Sequence, residues 1–298
     1  MGAWPPRTFV RSLGAALHNL GSIQLKQDPQ LAEQTILRAL DYQLPMAERS
    51  DYPMRASVDI VASYTNLANA RIEAGDWKRA EEASRDAEAI SERLVKIAPK
   101  VNLYKLDLAT NLNNLGLALQ YQNKFKEAAE AFQKSIDNQS LRADEAATNP
   151  KLASNLGSVH NNLAMVFLAQ FNFEQARREL AMAIDLQQKS MAADPIQATY
   201  RENLAKSLAN LTQLLRQLKD VNGELEALKQ RRELWKTDAV KLQAVAEEFA
   251  LLATRSPQSI EELIITTQMC RSAGGKMDEL LNRPAFQSLS VSVRDRLK

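Results

Sequence analysis

The chain has 298 residues, and its 38 Lys and Arg nearly cancel its 36 Asp and Glu, so the formal charge of +2 excludes a strong field toward nucleic acid or an anionic membrane surface. Hydrophobic residues at 45% and charged residues at 25% are the balance of a soluble folded protein, while 9 Gly and 10 Pro leave little material for turns and imply long helices. One cysteine, Cys270, excludes an internal disulfide framework and a cysteine-based zinc site.

Residues 1–10 contain Trp4, Pro5 and Pro6 but no apolar run of secretory length. No later stretch approaches ~18 continuous apolar residues, so no membrane insertion is expected and a cytoplasmic location is. The first helix starts close to Met1, which suggests a piece of something longer. From there the dipeptide Asn-Leu recurs at Asn19, Asn66, Asn114, Asn162 and Asn210, at intervals of 47, 48, 48 and 48 residues. Five occurrences in register mark an internal repeat, with units near 7–50, 54–98, 102–149, 151–194 and 197–240.

Each unit splits into two amphipathic helices. In the third, Leu108, Leu112, Leu115 and Leu119 recur at helical spacing, Asn123 and Lys124 make a short polar break, and Phe125, Ala128, Ala129 and Phe132 begin a second stripe. Pro53, Pro99, Pro150 and Pro195 fall where one unit ends and the next begins. Gly21, Ala68, Gly116 and Ala164 on the first helices, with Ala32, Ala80, Ala128 and Ala176 on the second, allow close helix approach, and Ile36, Phe132 and Leu180 fill the space beside the crossing. The fifth unit has Thr212 and Glu224 where small residues are expected, so its hairpin should pack less tightly or face a different neighbour. Beyond Trp235 the register is lost. KLQAVAEEFALLATR and SIEELIITTQMCRSA read as two capping helices within 241–281, joined at Ser256 and Pro257, with a short helix after Gly274 and Gly275 and an irregular tail over 282–298.

A Leu followed directly by Gly or Ala, an Ala about twelve residues on, then a large apolar residue and a small one, resembles the tetratricopeptide repeat over roughly residues 7 to 235. The resemblance implies an all-α fold, a right-handed α-solenoid of about five helical hairpins plus the capping pair. The common unit of that family has about 34 residues, and the longer unit here adds about two turns to each helix. Such long units are similar to those of kinesin light chains and of repeat regions attached to bacterial, planctomycete-type serine/threonine kinases.

Residues for chemistry are sparse. His18 and His160 lie on first helices of different units, and no HExxH spacing exists. Gly275-Lys276 lacks the Gly and the Ser or Thr of a phosphate-binding loop, because Cys270 and Met277 stand there. Cys270 reads as a small buried hydrophobe. The pairs Glu81-Glu82 and Glu247-Glu248 read as solvated faces, and Arg177-Arg178 and Lys229 to Arg232 as basic runs without interleaved aromatics. No catalytic residue, metal site or cofactor is expected.

Asparagine is a poor helix-interior residue, costing roughly half a kcal/mol against Ala, so its recurrence needs a reason. The resemblance implies that first helices line a concave groove where an Asn amide grips the backbone of an extended peptide. The groove residues expected are Asn19, Asn66, Asn69, Asn113, Asn114, Leu117, Tyr121, Asn161, Asn162, Met165 and Asn210, with Tyr121 as an anchor. The alternative is that each Asn bonds a neighbouring helix within the stack. Carboxylate-clamp cations are limited to Lys26, Lys206 and Arg216, at opposite ends. The function expected is a scaffold binding a protein or peptide partner. The alternatives are the C-terminal sensory or docking region of a bacterial serine/threonine kinase, or a solenoid that self-assembles through its fifth unit.

Overall fold

A computed structural model describes residues 7–48, 53–140 and 149–297. The unit boundary near 50, the segment 141–148 and residues Trp4, Pro5 and Pro6 lie outside the described residues. The described residues are helical throughout, without strands, in consecutive hairpins. The first hairpin is α1 (Arg7–Gln24) with α2 (Pro29–Glu48), the second α3 (Pro53–Glu73) with α4 (Trp77–Ile97), and the third α5 (Asn102–Tyr121) with α6 (Phe125–Ser140). The fourth is α7 (Pro150–Ala169) with α8 (Phe173–Ala193) and the fifth α9 (Ala198–Gln217) with α10 (Val221–Leu234). α11 (Ala239–Ala253), a 3-10 turn at Pro257–Ser259 and α12 (Ile260–Ser272) follow, then α13 (Met277–Leu281), α14 (Pro284–Gln287) and α15 (Val291–Leu297). These helices fall into two compact units, one holding the first three hairpins and the other the helices from α7 onward.

Turn chemistry explains the hairpins. Gly75, Asn123, Phe171 and Lys219 have φ of 74, 60, 57 and 57°, the left-handed conformation that ends a helix and lets its last carbonyls bond back. An Asp or Asn follows three of them and caps the next helix: Asp76 Oδ1 accepts from the Arg79 amide at 3.2 Å, Asn172 Oδ1 from Gln175 at 3.4 Å, and Asp220 Oδ1 from Gly223 at 2.9 Å.

Within hairpins the small residues meet the large ones. A Cβ built on Gly116 would lie 2.6 Å from the Phe132 ring, and one on Gly21 would lie 2.5 Å from Ile36 Cγ1. These glycines are there because a side chain already occupies the space. In the first unit Ala32, Ile36 and Leu40 of α2 form a core with Ile60, Leu67, Ala68 and Ala70 of α3, so successive hairpins share one apolar layer. In the second unit Ala164 and Leu168 of α7, Ala176 and Leu180 of α8 and Leu214 of α9 do the same.

Of the two outcomes expected for the fifth hairpin, looser packing or a different neighbour, it has a different neighbour. Glu224 is wholly buried and accepts from Arg216 Nε at 2.9 Å and from Arg255 at 2.9 and 3.0 Å. Arg231 reaches Glu248 at 2.6 Å, and Arg232 reaches Glu262 at 2.6 Å while its guanidinium lies 5.9 Å from the centre of the Phe249 ring. Beside these ion pairs, Leu228 shares an apolar core with Leu242, Val245 and Phe249 of α11 and Leu263 of α12. The expected landing place for another copy on the fifth hairpin is therefore occupied by the chain's own following helices. The basic run at 229–232 and both glutamates at 247 and 248 serve this junction or its flank, since Glu247 accepts from Arg283 at 2.8 Å, so solvation alone does not account for them.

The tail over 282–298, expected to be irregular, carries α14 and α15. Pro284 starts α14, and Phe286, Leu289, Val293 and Leu297 are buried at helical or near-helical spacing against the capping core. Their apolar spacing has a surface to pack on only once α12 is in place. No helix among the described residues is long and apolar enough to cross a membrane.

Candidate functional site

First helices hold the expected groove residues because positions three and four apart share a face. In the first unit Asn19 on α1 is exposed, Asn66 and Asn69 on α3 are half-buried, and on α5 Asn113 and Leu117 are half-buried while Asn114 is buried. Asn114 Nδ2 donates to Asn69 Oδ1 at 2.8 Å, which ties α5 to α3. Tyr121, at the end of α5, is 58% exposed and stacks on Trp77 of α4 with ring centres 4.0 Å apart and planes within 7°. In the second unit Asn161 and Asn162 on α7 are buried, Met165 is half-buried, and Asn210 on α9 is half-buried. Asn161 Oδ1 accepts from Asn210 Nδ2 at 2.8 Å and from Ser207 Oγ at 3.1 Å.

A second polar rung, missed in the sequence, accompanies the asparagines. The residue just before the repeating Asn bonds the residue three before the next one: His18 Nδ1 lies 3.1 Å from Ser63 Oγ, Thr65 Oγ1 donates to Asn111 Oδ1 at 2.6 Å, and Ser207 Oγ donates to Asn161. Asn111 is wholly buried and also donates to Ser91 Oγ at 3.0 Å. The signal was available as polar residues at two further fixed offsets. It is hidden because four residue types share the work. These rungs spend part of each amide inside the stack, and an Asn offers two donors and two acceptor lone pairs, so Asn69 keeps capacity beyond its bond to Asn114.

Glu81 accepts from Lys124 at 2.7 Å, Gln122 at 2.9 Å and Arg85 at 3.0 Å. Burial pushes its carboxyl up, but hydrogen bonds from Lys124, Gln122 and Arg85 outweigh that and hold it below the usual carboxylate range. Glu81 is thus an ionised tie to the turn between α5 and α6 and not the solvated charge expected. Burial lowers the pKa of His18 below the ordinary imidazole range, opposed by the charge of Asp59. His160 Nδ1 lies 2.6 Å from Glu179 Oε2 on its own second helix. Among the described residues no three His, Cys, Asp or Glu gather as metal ligands. Cys270 is wholly buried, its thiol pushed up by burial, with Sγ 3.6 Å from the Ala239 carbonyl. A cleft over Leu112, Leu115 and Leu119 is lined by Arg85, Glu88, Glu127 and Lys134, whose charges pair across it.

Residues 108–137, from α5 through the turn into α6, match the model of the tetratricopeptide repeat. Over those residues the chain is similar to one tetratricopeptide-repeat unit, and its other hairpins repeat the same helical pattern. No curated protein sequence matches this chain. Solved structures share its fold at low identity. The nuclear import adaptor Nro1 of S. pombe is 12% identical with a TM-score of 0.62, covering 98% of this chain and 99% of that one. BtubC (BKLC) from P. vanneervenii is 18% identical with a TM-score of 0.55, covering 80% of this chain and 93% of that one. The apo form of RapI is 14% identical with a TM-score of 0.55, covering 95% and 98%. At these identities the likeness is one of fold.

Proposed function

We propose that this tetratricopeptide-repeat protein is a scaffold without chemistry of its own, which binds an extended peptide or partner segment along its first helices. A helical-repeat architecture is suited to protein–protein interaction because stacked hairpins offer a long surface of side chains held on rigid elements. The observation that carries the reading is the run of accessible groups on α3 and α5: Asn66 and Asn69, then Leu117, then Tyr121 braced by Trp77. Amides there can pair with a peptide backbone, Leu117 takes an apolar side chain, and a rigid exposed aromatic is the kind of group that dominates binding energy.

The test is a library of unstructured peptides screened against the whole chain, followed by fluorescence anisotropy on the best ligand. Asn66→Ala, Leu117→Ala and Tyr121→Ala should each weaken binding, Tyr121→Ala by about tenfold or more, since an anchor's truncation costs over ~1 kcal/mol. Lys78→Ala, on exposed surface of α4, should leave it unchanged. Binding that ignores the first three changes, in variants of unaltered helical content, places the ligand on another face and ends this reading.

A further inference from the structure

A first helix inside an array buries one stripe against the hairpin before it. On α3 that stripe contains Ile60, Leu67 and Ala70, at most 3% exposed, packed on Ala32, Ile36 and Leu40 of α2. On α5 the same repeat positions hold Leu108, Leu115 and Ala118, at most 6% exposed. On α1 they hold Leu13, Leu20 and Ile23, and Leu20 is 46% and Ile23 68% exposed. Phe9 at 58% and the exposed Ala16 complete the line. The residues keep the apolar chemistry of a stacking face, and among the described residues no hairpin covers it.

The spacing of this line says what fits it. Phe9, Leu13, Ala16, Leu20 and Ile23 follow one another at alternating steps of four and three, the two-in-seven seam of a coiled coil. The seam is also self-complementary. Laid antiparallel on its own copy about Ala16, it sets Phe9 level with the other Ile23 and Ala16 with Ala16, where the small side chain permits close approach, and brings Leu13 to within one residue of the level of the other Leu20. Ser12 and Asn19 flank it on the solvent side and carry no charge, so two copies meet without like-charge repulsion there. The nearest cation with a described side chain on the helix, Arg11, is turned to Asp59 at 3.7 Å.

We propose that the exposed seam of α1 is a dimerisation surface for a second copy of this chain, paired antiparallel about Ala16. Such a contact is isologous and closes at two copies, unlike stacking through a far end, which would propagate. One helical seam of about 15 residues is some 22 Å long and buries well under the ~800 Å² per partner of a stable dimer, so the dissociation constant belongs between about 1 μM and 1 mM. The peptide-binding reading is carried by α3 and α5 and tested by variants there, so the two proposals can fail separately.

Sedimentation velocity of the whole chain across that concentration range tests it, with a reversible shift expected from the 33.3 kDa monomer to a species of twice that mass and no larger. Leu20→Glu should weaken the dimer at least tenfold without changing helical content, because Leu20 is already accessible. Ala16→Cys should give an intermolecular disulfide on mild oxidation, whereas Lys78→Cys should not. A monomer at every concentration overturns the proposal, as does a dimer indifferent to Leu20→Glu. Open-ended oligomers would mean that stacking runs head to tail, and loss of the dimer in Leu20→Glu without an Ala16→Cys crosslink would overturn the antiparallel register.

Discussion

Gly116 shows how far a single atom matters in this fold. Replacing a helix-interior Gly by Ala ordinarily gains up to ~1 kcal/mol, but here the added methyl would sit 2.6 Å from the Phe132 ring, which is itself wholly buried. Gly116→Ala is therefore expected to destabilise the chain by about 1–3 kcal/mol in urea titration, against the propensity scale. Asp107 behaves oppositely. Burial raises its carboxyl, so the folded state holds the proton more tightly than the unfolded chain, and stability falls as pH rises through the raised value. Asp107→Asn should stabilise at neutral pH, with a gain that shrinks as the pH is lowered into the carboxylate range. An unchanged difference across the titration would mean that burial is not the cause. Glu224 was legible as an intrusion at a small-residue position, but its partners were not, because Arg216 meets it only when the fifth hairpin closes and Arg255 only once α11 is packed.

The turn is where local chemistry decides an element. Gly75 and Asn123 are residue types that accept the left-handed conformation, whereas Lys219 adopts φ 57° at a cost and is exposed. Lys219→Gly is expected to raise stability by about 0.5–1 kcal/mol, read as a higher urea midpoint with the same slope. First helices and second helices were visible in the leucine and alanine spacings because an amphipathic period is a local property. The short helices α14 and α15 were not, since four and seven residues nucleate poorly on their own and owe their form to Phe286 and Val293 finding the capping core. The asparagine rungs lie between these cases. Their 48-residue recurrence is plain in the sequence, while the pairing of Asn114 with Asn69, and of Asn161 with Asn210 and Ser207, belongs to helix register.

At the scale of the molecule, stability in stacked hairpins is a sum of neighbour interfaces, so damage stays local. Glu224→Ala removes the carboxylate that Arg216 and Arg255 share, and because both guanidiniums reach solvent it should cost about 1–3 kcal/mol in the second unit. Hydrogen exchange should then quicken in α9 to α12 while α3 and α4 keep their protection. Loss of protection across all hairpins together would show a single cooperative body instead.

Periodicity by itself determined that this protein is all-α, that its hairpins recur every 47 or 48 residues, and that Gly21 and Gly116 mark close crossings, because each depends on residues a few turns apart or on repetition in register. Only the tertiary structure decided which amides are spent inside the stack, that an ionic layer joins the fifth hairpin to the helices after it, and that α1 shows an apolar seam. Those outcomes depend on which surface meets which, and a side chain such as Leu20 or Glu224 acquires its role from the neighbour that is present or missing beside it.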